Sequence, residues 1–167
     1  VIYLMKGTLV GLLAGFIVSL FRLGIEFILE TVIEGYHFMQ EQPIWLIPWV
    51  IFSVTAALIV GKLVKSEPNI KGSGIPQVEG QVQGLISLNW WPVLWKKFIG
   101  GLLAIGSGLF LGREGPSIQL GSAVGQGISN LTKGDDVEEK ILLSSGAGAG
   151  VAAAFNAPLA GLMFVLE

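Results

Sequence analysis

Residues 111–121 read LGREGPSIQLG. Arg113 and Glu114 stand side by side, flanked by Gly112 and Gly115 and followed by Pro116. The stretch Phe98–Gly112 before them carries no charge. An ionisable group in a membrane segment is expensive and marks function by default. The order glycine, charged pair, glycine, proline predicts a turn that opens a helix, because proline is pre-set for a first helical turn. A helix start leaves N–H groups unpaired and carries partial positive charge, which suits an anion. A plain Arg113–Glu114 ion pair is the competing reading. It is disfavoured because adjacent residues at a helix start point in different directions.

The rest of the composition fits a membrane setting. The chain has 167 residues, 52% hydrophobic and 13% charged, with mean hydropathy +0.72. Soluble domains carry about twice that charged fraction. The net charge of −2 gives no basic face for nucleic acid, and with no cysteine there is no disulfide framework or thiolate metal site. His37 is the only histidine, too few to build a zinc site. No cofactor is expected. The first apolar segment is too long and too charged for a signal peptide.

A bilayer span needs about 20 apolar residues. Val1–Ile33 is long enough to cross with tilt, although it carries Lys6, Arg22, Glu26 and Glu30, and its last turns read as a helix emerging into the interface. Gly7, Gly11 and Gly15 recur every fourth residue, a small-residue stripe suited to a neighbouring helix. Ile44–Val64 is the cleanest span, with Trp45 and Trp49 at one interface and Pro48 in its first turns. Beyond it the pattern breaks. SLNWWPVLWKK, 87–97, reads as an interfacial segment. Phe98–Leu111 is too short to cross alone, and Ser117–Leu131 reads as a weakly amphipathic helix. Asp135 and Glu138 fit a capping box, and Ile141–Leu166 splits into two short helices around Phe155–Pro158. The 35–43 connection lacks Lys and Arg, whereas 62–71 has Lys62, Lys65 and Lys71, and 133–140 has Lys133 and Lys140. The positive-inside rule therefore puts the amino terminus and the Lys-bearing loops in the cytoplasm.

Short hydrophobic segments interrupted by glycine and proline are the best sequence pointer to a transporter's binding site. Three occur: KGSGIPQVEG at 71–80, GREGPS at 112–117 and AFNAPLAG at 154–161. Each contains a proline able to open a helix, Pro76, Pro116 and Pro158, so three helix starts could converge, with Ser73 adding a hydroxyl donor. Partial charges would hold a small anion strongly enough to enter and weakly enough to leave. A carboxylate beside such a site has two roles. Ionised, Glu114 occupies the anion's seat and blocks it; protonated, it is neutral and swings away. That makes Glu114 a proton-dependent gate or proton carrier.

These residues together resemble the CLC family of chloride channels and chloride/proton antiporters, especially its bacterial members. GSGIP at 72–76, GREGP at 112–116 and GVAAAFNAPLAG at 150–161 stand in the family's order, and the likeness extends over essentially the whole chain. The resemblance implies an all-α polytopic membrane protein of two inverted halves with short, broken and tilted helices. It implies a homodimer with one anion pore per subunit, in a bacterial inner membrane. Residues 1–167 would be the first half of that membrane domain, with the second half and its pore residues expected beyond them. Ser73, with Gly74 and Ile75, would coordinate the anion. Glu114 would be the gate and proton carrier. Gly115 amides would form the outer anion site, with Arg113 in a supporting electrostatic role. Glu167 is not assigned an internal proton-transfer role. The expected activity is chloride/proton antiport; a passive chloride channel is the near alternative. A distant one is a dinucleotide-binding enzyme, from the loose GxGxxA match GAGVAA at 148–153. Against it stands helix packing through Gly146 and Gly150.

Overall fold

The two apolar stretches at the amino end form the two longest helices, α1 (Ile2–Glu41) and α2 (Leu46–Ser66). The computed structural model describes residues 2–167, so Val1, where the first span was expected to begin, lies outside the described residues. α1 runs unbroken past the expected exit at Ile33. Nothing before Pro43, which opens a one-turn 3-10 helix, can stop it. At 1.5 Å per residue its 40 residues reach about 60 Å, twice the roughly 30 Å of bilayer hydrocarbon, so it crosses at a tilt or projects beyond it. Aromatic pairs hold α2 and the turn before it against the end of α1: Tyr36 with Trp49 of α2 at 5.1 Å and Phe38 with Trp45 of the turn at 5.8 Å.

Five shorter helices follow: α3 (Ile75–Val82), α4 (Trp90–Gly106), α5 (Glu114–Leu131), α6 (Asp136–Phe155) and α7 (Pro158–Leu166). α4 starts earlier than expected. Asn89 caps it by accepting from the Trp91 N–H at 3.4 Å, so the Trp-rich segment is helical rather than a separate interfacial piece. Asp135 caps α6 by accepting from the Glu138 N–H at 2.7 Å. The capping box is only half formed, because the Glu138 carboxylate turns instead to Lys6 of α1. The break before α7 lies where the sequence put it. Asn156 takes the left-handed conformation at the end of α6, and Pro158 opens α7.

The weakly amphipathic reading of α5 is corrected. Gly115 to Ser129 are buried without a gap, so α5 has no exposed face over four turns. Small residues explain this. A Cβ on Gly121 would collide with the Gly146 carbonyl, one on Gly125 with the Leu142 carbonyl, and one on Gly150 with the Ser117 carbonyl. Backbones thus meet at van der Waals contact, as small-residue helix pairs do in membranes. α1 packs on the other side. Val10 and Ala14 meet Val124, Ile128 and Leu142, while Val18, Phe21 and Ile25 meet Ile105 and Leu120.

The Gly7, Gly11 and Gly15 stripe meets no helix among the described residues; a Cβ at each would enter open space. The buried stripe of α1 runs instead through Val10, Ala14 and Val18, whose larger side chains fill the contact. The dinucleotide reading fails. GAGVAA lies mid-helix in α6, with no strand among the described residues to precede it, and Gly148 and Gly150 carry helix contacts.

The close α5–α6 contact predicts that Gly125→Ala destabilises the fold by about 1–3 kcal/mol through overpacking. Gly35→Ala, which faces open space inside α1, should keep stability or raise it by up to about 1 kcal/mol. Thermal unfolding of the purified variants in detergent, followed by size-exclusion chromatography, checks both.

Candidate functional site

The turn before α3 is built by glycine. Gly72 and Gly74 have φ of 72° and 88°, in the left-handed region that favours glycine. Between them, the Ser73 hydroxyl accepts from the Ile75 N–H at 3.4 Å and sits exposed at the turn's tip. Gly74 is buried against the side chain of Gln119, and Ile75 packs toward the cluster of Val78, Ile118 and Leu143. Of the three residues expected to coordinate the anion, only Ser73 lines the cavity described below.

The second turn lies directly against the first. A Cβ on Gly115 would stand 2.6 Å from the Ser73 carbonyl oxygen and 2.7 Å from its Cβ, so only glycine fits. Ser117 stiffens the start of α5. Both its hydroxyl and its N–H donate to the Arg113 carbonyl, at 2.7 and 3.2 Å. The starts of α3 and α5, remote in sequence, thus share one wall of a cavity of about 550 Å³. Ser73, Glu114, Gly115 and Pro116 line it with Lys71, Lys96 and Lys97, and apolar residues of α2 and α4 close the other side, among them Val60, Val64 and Ile105. A largely apolar cavity with a few convergent polar groups is the usual form of a small-ligand site.

Glu114 makes no ion pair among the described residues. Its carboxylate folds back against Gly112, with Oε2 2.6 Å from where a Cβ on that glycine would stand. The Arg113–Glu114 pair is therefore absent. Arg113 points away from the cavity and donates to Glu26 of α1 at 3.0 Å. The third helix start does not join the other two either. α7 packs on α6, and no residue of 154–161 lines the cavity.

Sequence reasoning missed two residues. Lys97 was read with Lys96 as interfacial, yet it is 4% exposed, and its ammonium donates to the Ile70 and Gly72 carbonyls, both at 2.7 Å. Lys96 instead lies over the Trp95 ring. Neighbouring lysines on a helix cannot share a face. The spacing Val93, Lys97, Gly100 marks Lys97 as the inward one, and all three are buried. Gln119 is the other. It is 1% exposed, and its Nε2 donates to the Asn69 carbonyl at 2.8 Å while its amide packs on Gly74. Lys97 and Gln119 together tie the segment before Ser73 to α4 and α5.

Residues 56–167, two thirds of the chain, match the family described as voltage gated chloride channel. The chain belongs to that family. It is 43% identical, over 98% of its own length and 36% of the relative's, to the H(+)/Cl(−) exchange transporter ClcA of Vibrio parahaemolyticus. It is 39% identical over the same shares to the ClcA of Cronobacter sakazakii. Among solved structures, that of a slow cyanobacterial Cl−/H+ antiporter superposes with a TM-score of 0.88 at 36% identity, covering 96% of this chain and 38% of that one. The chain thus spans little more than a third of the length of these relatives. Its fold is that of the voltage gated chloride channel family, an all-helical arrangement of an integral membrane protein.

Lys97→Met would leave the buried Ile70 carbonyl without a donor. The expected loss is about 1–3 kcal/mol, read as a lower unfolding midpoint, and Lys97→Arg should recover part of it.

Proposed function

We propose that these residues form half of a chloride pathway that exchanges chloride for protons, with Glu114 as gate and proton carrier and Ser73 as an anion ligand. The observation that carries the reading is the contact of Gly115 with Ser73, which puts two helix starts and one unpaired carboxylate on a single cavity. The early turns of α3 and α5 contain Pro76 and Pro116, which have no N–H, so the donors left at these starts are few and fixed. Such donors, with the Ser73 hydroxyl, are the groups that hold an anion without a direct full cation. Lys97 sits behind them, its ammonium engaged with two carbonyls. It supplies positive potential from a distance, so that an anion is attracted without being held fast.

Glu114 competes with the anion through its own charge. Its carboxylate reaches the same donors as chloride, and protonation removes the charge that binds it there. Each protonation therefore opens the seat to chloride, and each return of the carboxylate displaces it, which couples the two fluxes. The relatives' names, H(+)/Cl(−) exchange transporter and Cl−/H+ antiporter, support this reading. The family's description as a channel favours the alternative, passive chloride conduction. We place the working protein in a bacterial inner membrane as a homodimer. These residues would be the first half of its membrane domain, and the exposed apolar surface of α2, where only Ala56 is buried, would face lipid or protein.

The test uses the full-length protein that carries these residues, reconstituted in vesicles. A chloride gradient is expected to drive protons uphill. Glu114→Gln should abolish proton movement while chloride still passes, and chloride flux without proton movement in the unaltered protein would establish the channel instead. Ser73→Ala should weaken chloride binding about tenfold, the equivalent of one hydrogen bond to a charged group, measured by calorimetry.

A further inference from the structure

We infer that Glu26 is a positioning residue for the Glu114 gate: it holds the Arg113 guanidinium away from Glu114 and offsets its charge. The inference rests on the gating role proposed for Glu114. Arg113 immediately precedes Glu114 and stands at the start of α5, where the helix's own partial charge is positive and a cation is unfavourable. Glu26 of α1 accepts from Arg113 Nη1 at 3.0 Å, and Arg22, one turn earlier on α1, lies 4.0 Å from the same oxygen. Arg22 is anchored in turn. Its Nη1 donates at 2.8 Å to the carbonyl of Ala153, in the last turn of α6, where a cation complements the helix end. One carboxylate therefore joins the end of α6 to the start of α5. Through it, GVAAAFNAPLAG, which contributes nothing to the cavity, is linked to GREGP.

The cluster is open rather than sealed. The side chains of Arg22, Arg113 and Glu26 are 28%, 33% and 46% exposed, so an Arg113 released by Glu26 has room to turn. Its nearest carboxylate in sequence is Glu114, which has no partner of its own. A guanidinium no longer neutralised by Glu26 would act on that carboxylate through space, without direct pairing, and stabilise the charged form of the gate. The other charged groups that face Glu114 are Lys71, before α3, and Lys96 and Lys97 of α4, all lining its cavity. None of them touches Glu26, so changing Glu26 leaves them in place. The sign follows. Without the Glu26 charge, Arg113 favours ionised Glu114, and opening then requires a more acidic solution.

The experiment measures chloride flux against pH in vesicles holding the full-length protein. Glu26→Gln is expected to move the midpoint of acid activation down by about one pH unit, at the low end of what a cation beside a carboxylate does. Glu26→Asp, which keeps the charge, should stay near the original midpoint. The double variant Glu26→Gln/Arg113→Gln should restore it. An unchanged midpoint with a rate lowered equally at every pH would overturn the inference and make Glu26 a merely structural residue. An upward shift, or a downward shift that persists in the double variant, would overturn it as well. Glu114→Gln, run alongside, separates the two claims. If it abolishes the pH dependence while Glu26→Gln leaves the midpoint in place, only the Glu26 role fails. If it leaves the pH dependence intact, the gating role itself fails and the Glu26 role with it.

Discussion

Backbone-to-backbone contact between α5 and α6 is the constraint on which the rest of the structure depends. Gly121 and Gly125 meet Gly146 and Leu142, and Gly150 meets Ser117, all without room for a side chain. In lipid there is little hydrophobic gain from hiding one apolar surface against another, so helices associate through close packing instead. α5 is the extreme case, covered on every side by α1, α3, α4 and α6. A helix held so tightly has no freedom to shift its first turn. Gly115 and Glu114 are therefore delivered to the cavity by contacts made within about three turns of them.

The same economy of side-chain volume acts at the cavity itself. Gly115 accommodates the Ser73 carbonyl, Gly74 accommodates Gln119, and Gly112 accommodates the Glu114 carboxylate. Each glycine admits a polar group where a Cβ would exclude it, and the three occur in the two turns whose helices face the cavity. Lys97 and Gln119 fix the incoming chain by donating to Ile70, Gly72 and Asn69 carbonyls. The backbone of the site is thus braced by side-chain donors, whereas the Glu114 carboxylate has no ion-pair partner among the described residues.

The two long helices, the Gly-Pro turns and the break at Asn156 were legible from sequence because each is a local rule: hydropathy over a span, proline at a helix start, a left-handed residue at a helix end. The burial of α5 was not. Its small residues weaken any periodic apolar signal, and a helix buried on all sides has no polar face to reveal its orientation. Lys97 was hidden for a related reason, since a lysine beside tryptophans reads as an interface anchor until the partner carbonyls are placed. Convergence was half legible. All three turns announced helix starts, but which of them meet depends on packing between distant segments, and only those at Ser73 and Gly115 do.

The fate of Arg113 shows how the third turn nevertheless bears on the site. A cation at the start of a helix and another at the end of one are in opposite electrostatic positions, the first unfavourable and the second favourable. Glu26 lies between them on α1, close to both guanidinium groups. The arrangement leaves the α6 end satisfied by Arg22 and the α5 start relieved of part of its excess charge. Arg22, Glu26 and Arg113 thus form a chain of charged contacts from the last turn of α6 to the residue before Glu114, beside the direct packing of Gly150 on Ser117. The chain segments flanking the break and Glu114 are joined by these contacts more directly than by any covalent path between them.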